Sequence, residues 1–302
     1  MKILITGAGG MLGTDLVLCL SPKYQVVGVG RKPAPHLQIP FRIARLENTK
    51  STNDLIETEK PDVILHAAAM TEVDLCETDR AGALRDNLEV TRHVVEAANR
   101  VGALVIYFGT DFVFDGEQAG PYREEDIPHP ISVYGETKYL AERYLGLRSK
   151  RFLILRPSWL FGKHGNNFPK KILKQAETGK PLLVVENEIG NPTFTWDLAG
   201  AVNELLEIIA QGKAGWESQI YHLANEGIVS RLEFARTILK KRNLPLDRLT
   251  PVTARELHLP AARPRNSALS TEKIKKNFGI RLRPWEEALE AFLQEDLAGL
   301  PQ

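Results

Sequence analysis

Met1-Lys2-Ile3-Leu4-Ile5-Thr6-Gly7-Ala8-Gly9-Gly10-Met11-Leu12-Gly13 carries a strand, a glycine loop and the start of a helix. Lys2–Thr6 is a short apolar run of the kind that makes a buried strand, and helical periodicity starts at Met11 and runs to Leu20. The glycines between them are spaced G-x-x-G-x-x-G. Gly7 permits a tight turn, Gly10 lets the backbone approach a pyrophosphate, and Gly13 allows helix and strand to pack closely. The helix N-terminus, with Met11 and Leu12 in its first turn, then faces the phosphates. Strand, glycine loop and helix in this order read as a dinucleotide site, whereas a glycine loop alone would be an ordinary turn.

The pattern continues outward. Apolar runs at Val26–Val29, Val63–Ala67, Leu104–Phe108 and Phe152–Arg156 alternate with helical stretches at Ser51–Glu59, Ala81–Val101 and Tyr134–Leu147. Such alternation predicts an α/β fold, a Rossmann-type doubly wound parallel sheet. Ligands then sit at the carboxyl ends of strands, here Thr6-Gly7-Ala8 and Phe108-Gly109-Thr110. The second half is richer in proline and loops. It predicts a helix near Asn167–Thr178, a strand near Leu182–Val185 and helices at Asp197–Ile209 and Arg231–Asn243. Thr271–Asn277 and Trp285–Gln294 read as short surface helices. A smaller C-terminal substrate-binding domain is expected, with the chain crossing between the two units. Residues 1–155 plus about 178–212 form the cofactor domain, and about 156–177 plus 213–302 the second.

Composition narrows the function classes. The 302 residues are 43% hydrophobic and 25% charged, ordinary for a soluble globular protein. A net charge of +1 gives no footprint for nucleic acid. Cys19 and Cys76 imply no disulfide framework. No apolar run is long enough for a bilayer, and the N-terminus enters a strand directly, so the cytoplasm is expected and no membrane partner. No cluster of His, Cys or carboxylates predicts a metal.

The second strand ends at Val29-Gly30 and is followed by Arg31-Lys32, with no acid to bond a ribose 2′-hydroxyl. Arg31 can clamp a 2′-phosphate, so NADPH is favoured and NADH is the alternative. Tyr134 and Lys138, in Y-G-E-T-K, lie four apart on one helix face. An adjacent ammonium favours the phenolate, pulling the tyrosine pKa down from about 10. Such a tyrosine exchanges a proton with a substrate oxygen. Thr110 can donate to the same oxygen, giving two donors for a developing alkoxide. Lys138 can also reach a cofactor ribose. Thr110, Tyr134 and Lys138 thus make a candidate hydride-transfer site beside a nicotinamide.

The chain resembles the extended short-chain dehydrogenase/reductases, and among them the dTDP-4-dehydrorhamnose reductase family. The resemblance runs nearly end to end: K-P-D-V-I-L-H-A-A-A-M-T-E-V-D (60–74), T-D-F-V-F-D-G (110–116), V-Y-G-E-T-K (133–138), L-R-P-S-W-L-F-G (155–162), G-N-P-T (190–193) and A-R-P-R-N-S-A-L (262–269). It implies reduction of dTDP-4-dehydro-β-L-rhamnose to dTDP-L-rhamnose, a nucleotide-sugar substrate. Tyr134 would be the proton donor and Lys138 its activator and ribose contact. Thr110 and Asp111 would hold the keto sugar. Trp159 would line the sugar pocket or simply fill core. Arg263, Asn266 and Ser267 would frame the substrate, with Arg263 or Arg265 on the diphosphate or in surface ion pairs. Ala67, Ala68 and Ala69 would run under the nicotinamide ribose. A homodimer is compatible with the family.

Some positions depart from the family. Gly109 stands where many relatives have serine, Arg45-Leu46-Glu47 where many have an adenine-contacting aspartate, and Glu188 where glutamine is common. His66 reads as structural at a strand end, and Asn87 as a buried hydrogen-bonding residue. Phe112, where 4,6-dehydratases carry a glutamate after Thr-Asp, excludes dehydration. Another nucleotide-sugar 4-reductase or an epimerase stays open. So does a non-catalytic reading, because P-Y-R-E-E-D-I-P (121–128) resembles the regulatory β subunit of methionine adenosyltransferase.

Overall fold

The structure, a computed structural model, describes residues 1–212 and 219–297. Residues 213–218 and 298–302, both in the range expected for the second domain, lie outside it. In chain order the strands are β1 (Lys2–Thr6), β2 (Gln25–Gly30), β3 (Phe41–Ile43), β4 (Val63–His66), β5 (Leu104–Phe108), β6 (Phe152–Arg156), β7 (Leu160–Phe161), β8 (Leu182–Val185), β9 (Ile189–Gly190), β10 (Thr193–Phe194), β11 (Gln219–His222), β12 (Val229–Ser230) and β13 (Leu249–Val252). The helices are α1 (Met11–Leu20), α2 (Thr49–Glu59), α3 (Val73–Thr78), α4 (Arg80–Ala83), α5 (Val90–Val101), α6 (Val133–Arg148), α7 (Phe168–Glu177), α8 (Thr195–Ala210), α9 (Arg231–Lys241), α10 (Glu272–Phe278) and α11 (Trp285–Leu297).

Seven strands form one parallel sheet in the order β11-β6-β5-β4-β1-β2-β3. The order runs outward from the β1/β4 pair in both directions. That is the switch point where such sheets open a crevice. Alternate residues of β1 feed opposite faces, as the period of a strand requires. Ile3 and Ile5 pack with Leu12, Leu16, Leu198 and Leu205 of α1 and α8, while Leu4 packs with Ile56, Val94, Ala141 and Leu145 of α2, α5 and α6. Both faces are covered, which explains why the strands read as unbroken apolar runs.

The expected segment 178–212 divides. β8 pairs with β13 and β9 with β12, away from the large sheet, while α8 lies on α1 and leads into β11. β11 pairs parallel to β6, so it needs a covering crossover, which α8 supplies. The second cluster holds Trp159, Phe161, Phe194, Phe234, Trp285 and Phe292.

Two helix readings need correction. α11 is not a surface helix: Trp285, Ala288, Leu289, Phe292 and Leu293 are buried, a stripe at i, i+3, i+4, i+7 and i+8 that fills the second core. The single helix expected at Ala81–Val101 is interrupted by a π-helical stretch, Leu84–Glu89, between α4 and α5.

Candidate active site

The glycine loop is shaped by backbone contact. Gly7 has φ +67°, and a Cβ there would lie 2.8 Å from the Ala68 nitrogen and 2.9 Å from the Ala67 oxygen. A Cβ at Gly13 would collide with the Gly7 carbonyl oxygen. The Gly10 N–H donates to that oxygen at 2.9 Å. α1 begins with no side-chain cap and no acidic residue in its first turn. Its positive end and free N–H groups therefore face the cleft and fit a pyrophosphate.

The floor beside the loop is pinned from below. Thr6 Oγ1 accepts from the Ala68 N–H at 3.2 Å and bonds His66 Nδ1 at 2.7 Å, while His66 Nε2 bonds Thr91 Oγ1 at 3.0 Å. Burial drives His66 down to about 3, so the imidazole is neutral and structural. Asn87, in the π-helical stretch, accepts from the Met70 N–H at 2.8 Å and donates to the Met70 carbonyl at 3.2 Å and to Thr137 Oγ1 at 3.0 Å. It ties the segment after β4 to α6. A π-turn at such a junction is a common companion of functional sites.

One cleft of ≈ 1160 Å³ runs along this edge. Gly7, Gly10, Met11, Leu12, Gly13, Arg31 and Ala67–Ala69 line one part, and Thr110, Asp111, Tyr134, Lys138, Trp159 and Arg263 another. Sequence positions spread over more than 250 residues thus meet in one space. Arg45, Leu46 and Glu47 also line it, near Arg31.

Tyr134 is brought to Thr110 by a close approach. Ser132 caps α6, its Oγ accepting from the Gly135 N–H at 3.2 Å. A Cβ at Gly135 would strike the Phe112 carbonyl oxygen, so glycine lets the Asp111–Val113 turn sit on the helix. Phe112 meets the Tyr134 ring edge-on at 5.7 Å. Thr110 shares a side-chain hydrogen bond with Tyr134.

The electrostatics differ from the expectation. Burial pushes the Tyr134 phenol well above its ordinary value, and the nearby Asp111 adds to this against the Thr110 bond. Burial pulls Lys138 down to about 7, with Glu142 acting in the other direction. The ammonium donates to the Phe108 carbonyl at 2.7 Å and lies 4.2 Å from the Tyr107 ring centre. The ion-pair reading of Y-x-x-x-K omitted desolvation, which here is the larger effect.

The far wall is a connected polar chain. Thr110 Oγ1 donates to Asp111 Oδ1 at 3.1 Å, and Ser158 Oγ to Asp111 Oδ2 at 3.0 Å. Burial raises the Asp111 carboxyl. Trp159 holds a left-handed backbone, φ 44°, and its Nε1 donates to Ser267 Oγ at 3.0 Å. Bulky residues in this region are strained and concentrate at functional sites. Arg263 donates to Asp74 Oδ2 at 2.8 Å and lines the cleft, while Arg265 is exposed. Asn266 is turned elsewhere: its Nδ2 donates to the Gln118 and Gly120 carbonyls at 2.7 and 2.8 Å, fastening that loop.

Sequence reading missed Arg231, Lys171, Phe168 and Asp86, all on the cleft wall. The Arg231 guanidinium stacks 3.4 Å from the Trp159 ring centre, with Phe168 5.0 Å away on a second contact and Glu188 Oε2 3.6 Å from its Nε. The signal was faint. Val229-Ser230-Arg231-Leu232-Glu233 reads only as a capped helix start, Ser230 Oγ accepting from the Glu233 N–H at 3.1 Å.

The family model described as RmlD substrate binding domain matches residues 1–298. A dTDP-4-dehydrorhamnose reductase of Aggregatibacter actinomycetemcomitans is 36% identical, covering 95% of this chain and 97% of the relative. Spore coat polysaccharide biosynthesis protein SpsK of Bacillus subtilis is also 36% identical, covering 97% of both. A crystal structure of dTDP-4-dehydrorhamnose reductase from Bacillus anthracis in complex with NADP superposes with a TM-score of 0.88 at 33% identity, covering 97% of this chain and 99% of that one. Matched from end to end by this family model and by a reductase at 36% identity, the chain belongs to the dTDP-4-dehydrorhamnose reductase family.

Proposed function

We propose that the protein catalyses NADPH-dependent reduction of the 4-keto group of dTDP-4-dehydro-β-L-rhamnose, giving dTDP-L-rhamnose. The observation that carries this is one cleft with an uncapped glycine-loop helix on one side and the joined Thr110 and Tyr134 hydroxyls on the other. The relative bound to NADP supports the choice of cofactor. Gly7, Gly10, Met11, Leu12 and Gly13 would hold its pyrophosphate, Arg31 its 2′-phosphate and Ala67–Ala69 the floor beneath its ribose. When bound, NADPH supplies a hydride.

The remaining roles belong to this chain. Tyr134 gives its proton to the sugar C4 oxygen, and a phenol kept neutral by burial is loaded for that task. Thr110 orients the same oxygen. Lys138 contributes positive charge beneath Tyr134. Trp159, Asp111 and Arg231 shape the sugar pocket, and Arg263 and Lys171 bring cations for the diphosphate. Phe112 offers no acid for dehydration.

The cofactor unit is best drawn as residues 1–156 with α8 and β11, and the substrate unit as the rest. Among the described residues no helix is long and apolar enough to cross a membrane; a cytoplasmic enzyme, with a homodimer as the assembly, is in keeping with a nucleotide-sugar substrate. A panel of dTDP-, UDP- and GDP-4-keto sugars with NADPH, followed by absorbance and product NMR, tests the reading. Oxidation of NADPH with the dTDP sugar and a rhamnose product is expected. Binding of NADPH without turnover of any keto sugar would replace it with a regulatory role.

A further inference from the structure

Arg31, the cation expected to take a 2′-phosphate, is already engaged. Its Nη1 donates to Asp86 Oδ2 at 3.0 Å, and Asp86 Oδ1 accepts from Arg85 Nε at 3.0 Å. Asp86 belongs to the π-helical stretch and lines the same part of the cleft as Gly30, Arg31, Lys32 and Arg45. Its side chain is 13% exposed and that of Arg31 64%, so the carboxylate is the more buried partner and the arginine the more exposed one.

In a doubly wound sheet, an acid after the second strand bonds the ribose 2′-hydroxyl, and an arginine there accommodates a 2′-phosphate. No acid follows β2 in this chain, where Arg31-Lys32-Pro33-Ala34 come next. Asp86 delivers one from another element, within hydrogen-bond distance of the arginine. We propose that Asp86 sets the cofactor preference. Its carboxylate competes with a 2′-phosphate for Arg31 and accepts a hydrogen bond from an unphosphorylated 2′-hydroxyl. The pair thereby admits both classes of adenine dinucleotide, with Arg31 favouring the phosphorylated one and Asp86 the other. This rests on the cleft being a dinucleotide site.

The test is calorimetric binding of 2′,5′-ADP and 5′-ADP to the wild-type protein, Asp86→Asn, Arg31→Ala and the double variant. Asp86→Asn is expected to tighten 2′,5′-ADP about two- to fivefold at low salt, the scale of one partly exposed charge pair. It should weaken 5′-ADP. Arg31→Ala leaves the carboxylate unmasked, so 5′-ADP should then bind more tightly than 2′,5′-ADP. The double variant should abolish that inversion. Equal effects of Asp86→Asn on both ligands would overturn the proposal, as would an Arg31→Ala protein that binds the two equally. No sugar enters this measurement. A protein that shows the shift but reduces no keto sugar would lose the proposed reaction and keep this assignment.

Discussion

Lys138 is a buried amine whose ordinary pKa is about 10.4 and whose value here is about 7. Its charge therefore changes near neutral pH in the free enzyme. Because kcat/KM reports groups of the free enzyme, kcat/KM for NADPH should fall as pH rises through about 7, when Lys138 loses its proton. Lys138→Met should lower activity and remove that limb; a limb unchanged in the variant would assign it elsewhere. At this scale the sequence was most legible where motifs carry chemistry. Thr110, Tyr134, Lys138, the glycines and Trp159, singled out from their motifs, all reach the cleft. Asn266 did not, because its place in A-R-P-R-N-S-A-L says nothing of which way the side chain turns. Asp86 carried no signal and Arg231 only a faint one, for a different reason. Each meets its partner across a distance in sequence, Asp86 at Arg31 and Arg231 at Trp159.

Elements followed the same division. β1, β5, β6 and β8 begin and end where the apolar runs do; for β1, β5 and β6 this is because parallel strands covered on both faces have few other ways to read. β7, β9, β10 and β12 have two residues each, too few for any period. α11 did carry its signal, Trp285, Ala288, Leu289, Phe292 and Leu293, but its late position suggested a surface segment. It is instead a wall of the second core, with Phe292 5.5 Å from Phe161 and 6.2 Å from Phe194, ring centre to ring centre. Phe292→Ala should cost about 3–5 kcal/mol in chemical denaturation, as for a buried aromatic that leaves a cavity. A cost near zero would return α11 to the surface.

The whole molecule is a large parallel sheet with a second core set over its carboxyl edge, and its stability is tied to pH through buried groups. His66 is held neutral beneath the Ala67–Ala69 segment, its value lowered from 6.5 to about 3. The unfolded chain takes up a proton as pH falls through about 6.5, and the folded chain does not until about 3. The stabilisation is thus complete above about 6.5 and is lost as pH falls toward 3. Urea unfolding across that window should show stability falling with acid, and His66→Gln should flatten the curve. Lys138 adds a term of the same sign higher up: its lowered value makes stability rise with pH between about 7 and 10.4. The parallel, doubly wound character of the sheet was legible from strand and helix alternation, but its strand order was not. That β8 leaves it and β11 joins it was not, because pairing is decided by contacts that no local pattern records.

In the proposed reaction Tyr134 delivers the proton to the C4 oxygen of a dTDP-linked keto sugar. The most direct measurement is steady-state NADPH oxidation with dTDP-4-dehydrorhamnose, comparing the wild-type protein with Tyr134→Phe and identifying the product by NMR. The wild-type protein should form dTDP-L-rhamnose. The variant, which keeps the ring against Phe112 and loses only the hydroxyl, should bind NADPH as before with kcat reduced by roughly 10²–10⁴-fold. A variant that turns over at the wild-type rate, or a wild-type protein that binds NADPH and leaves the sugar unreduced, would contradict it.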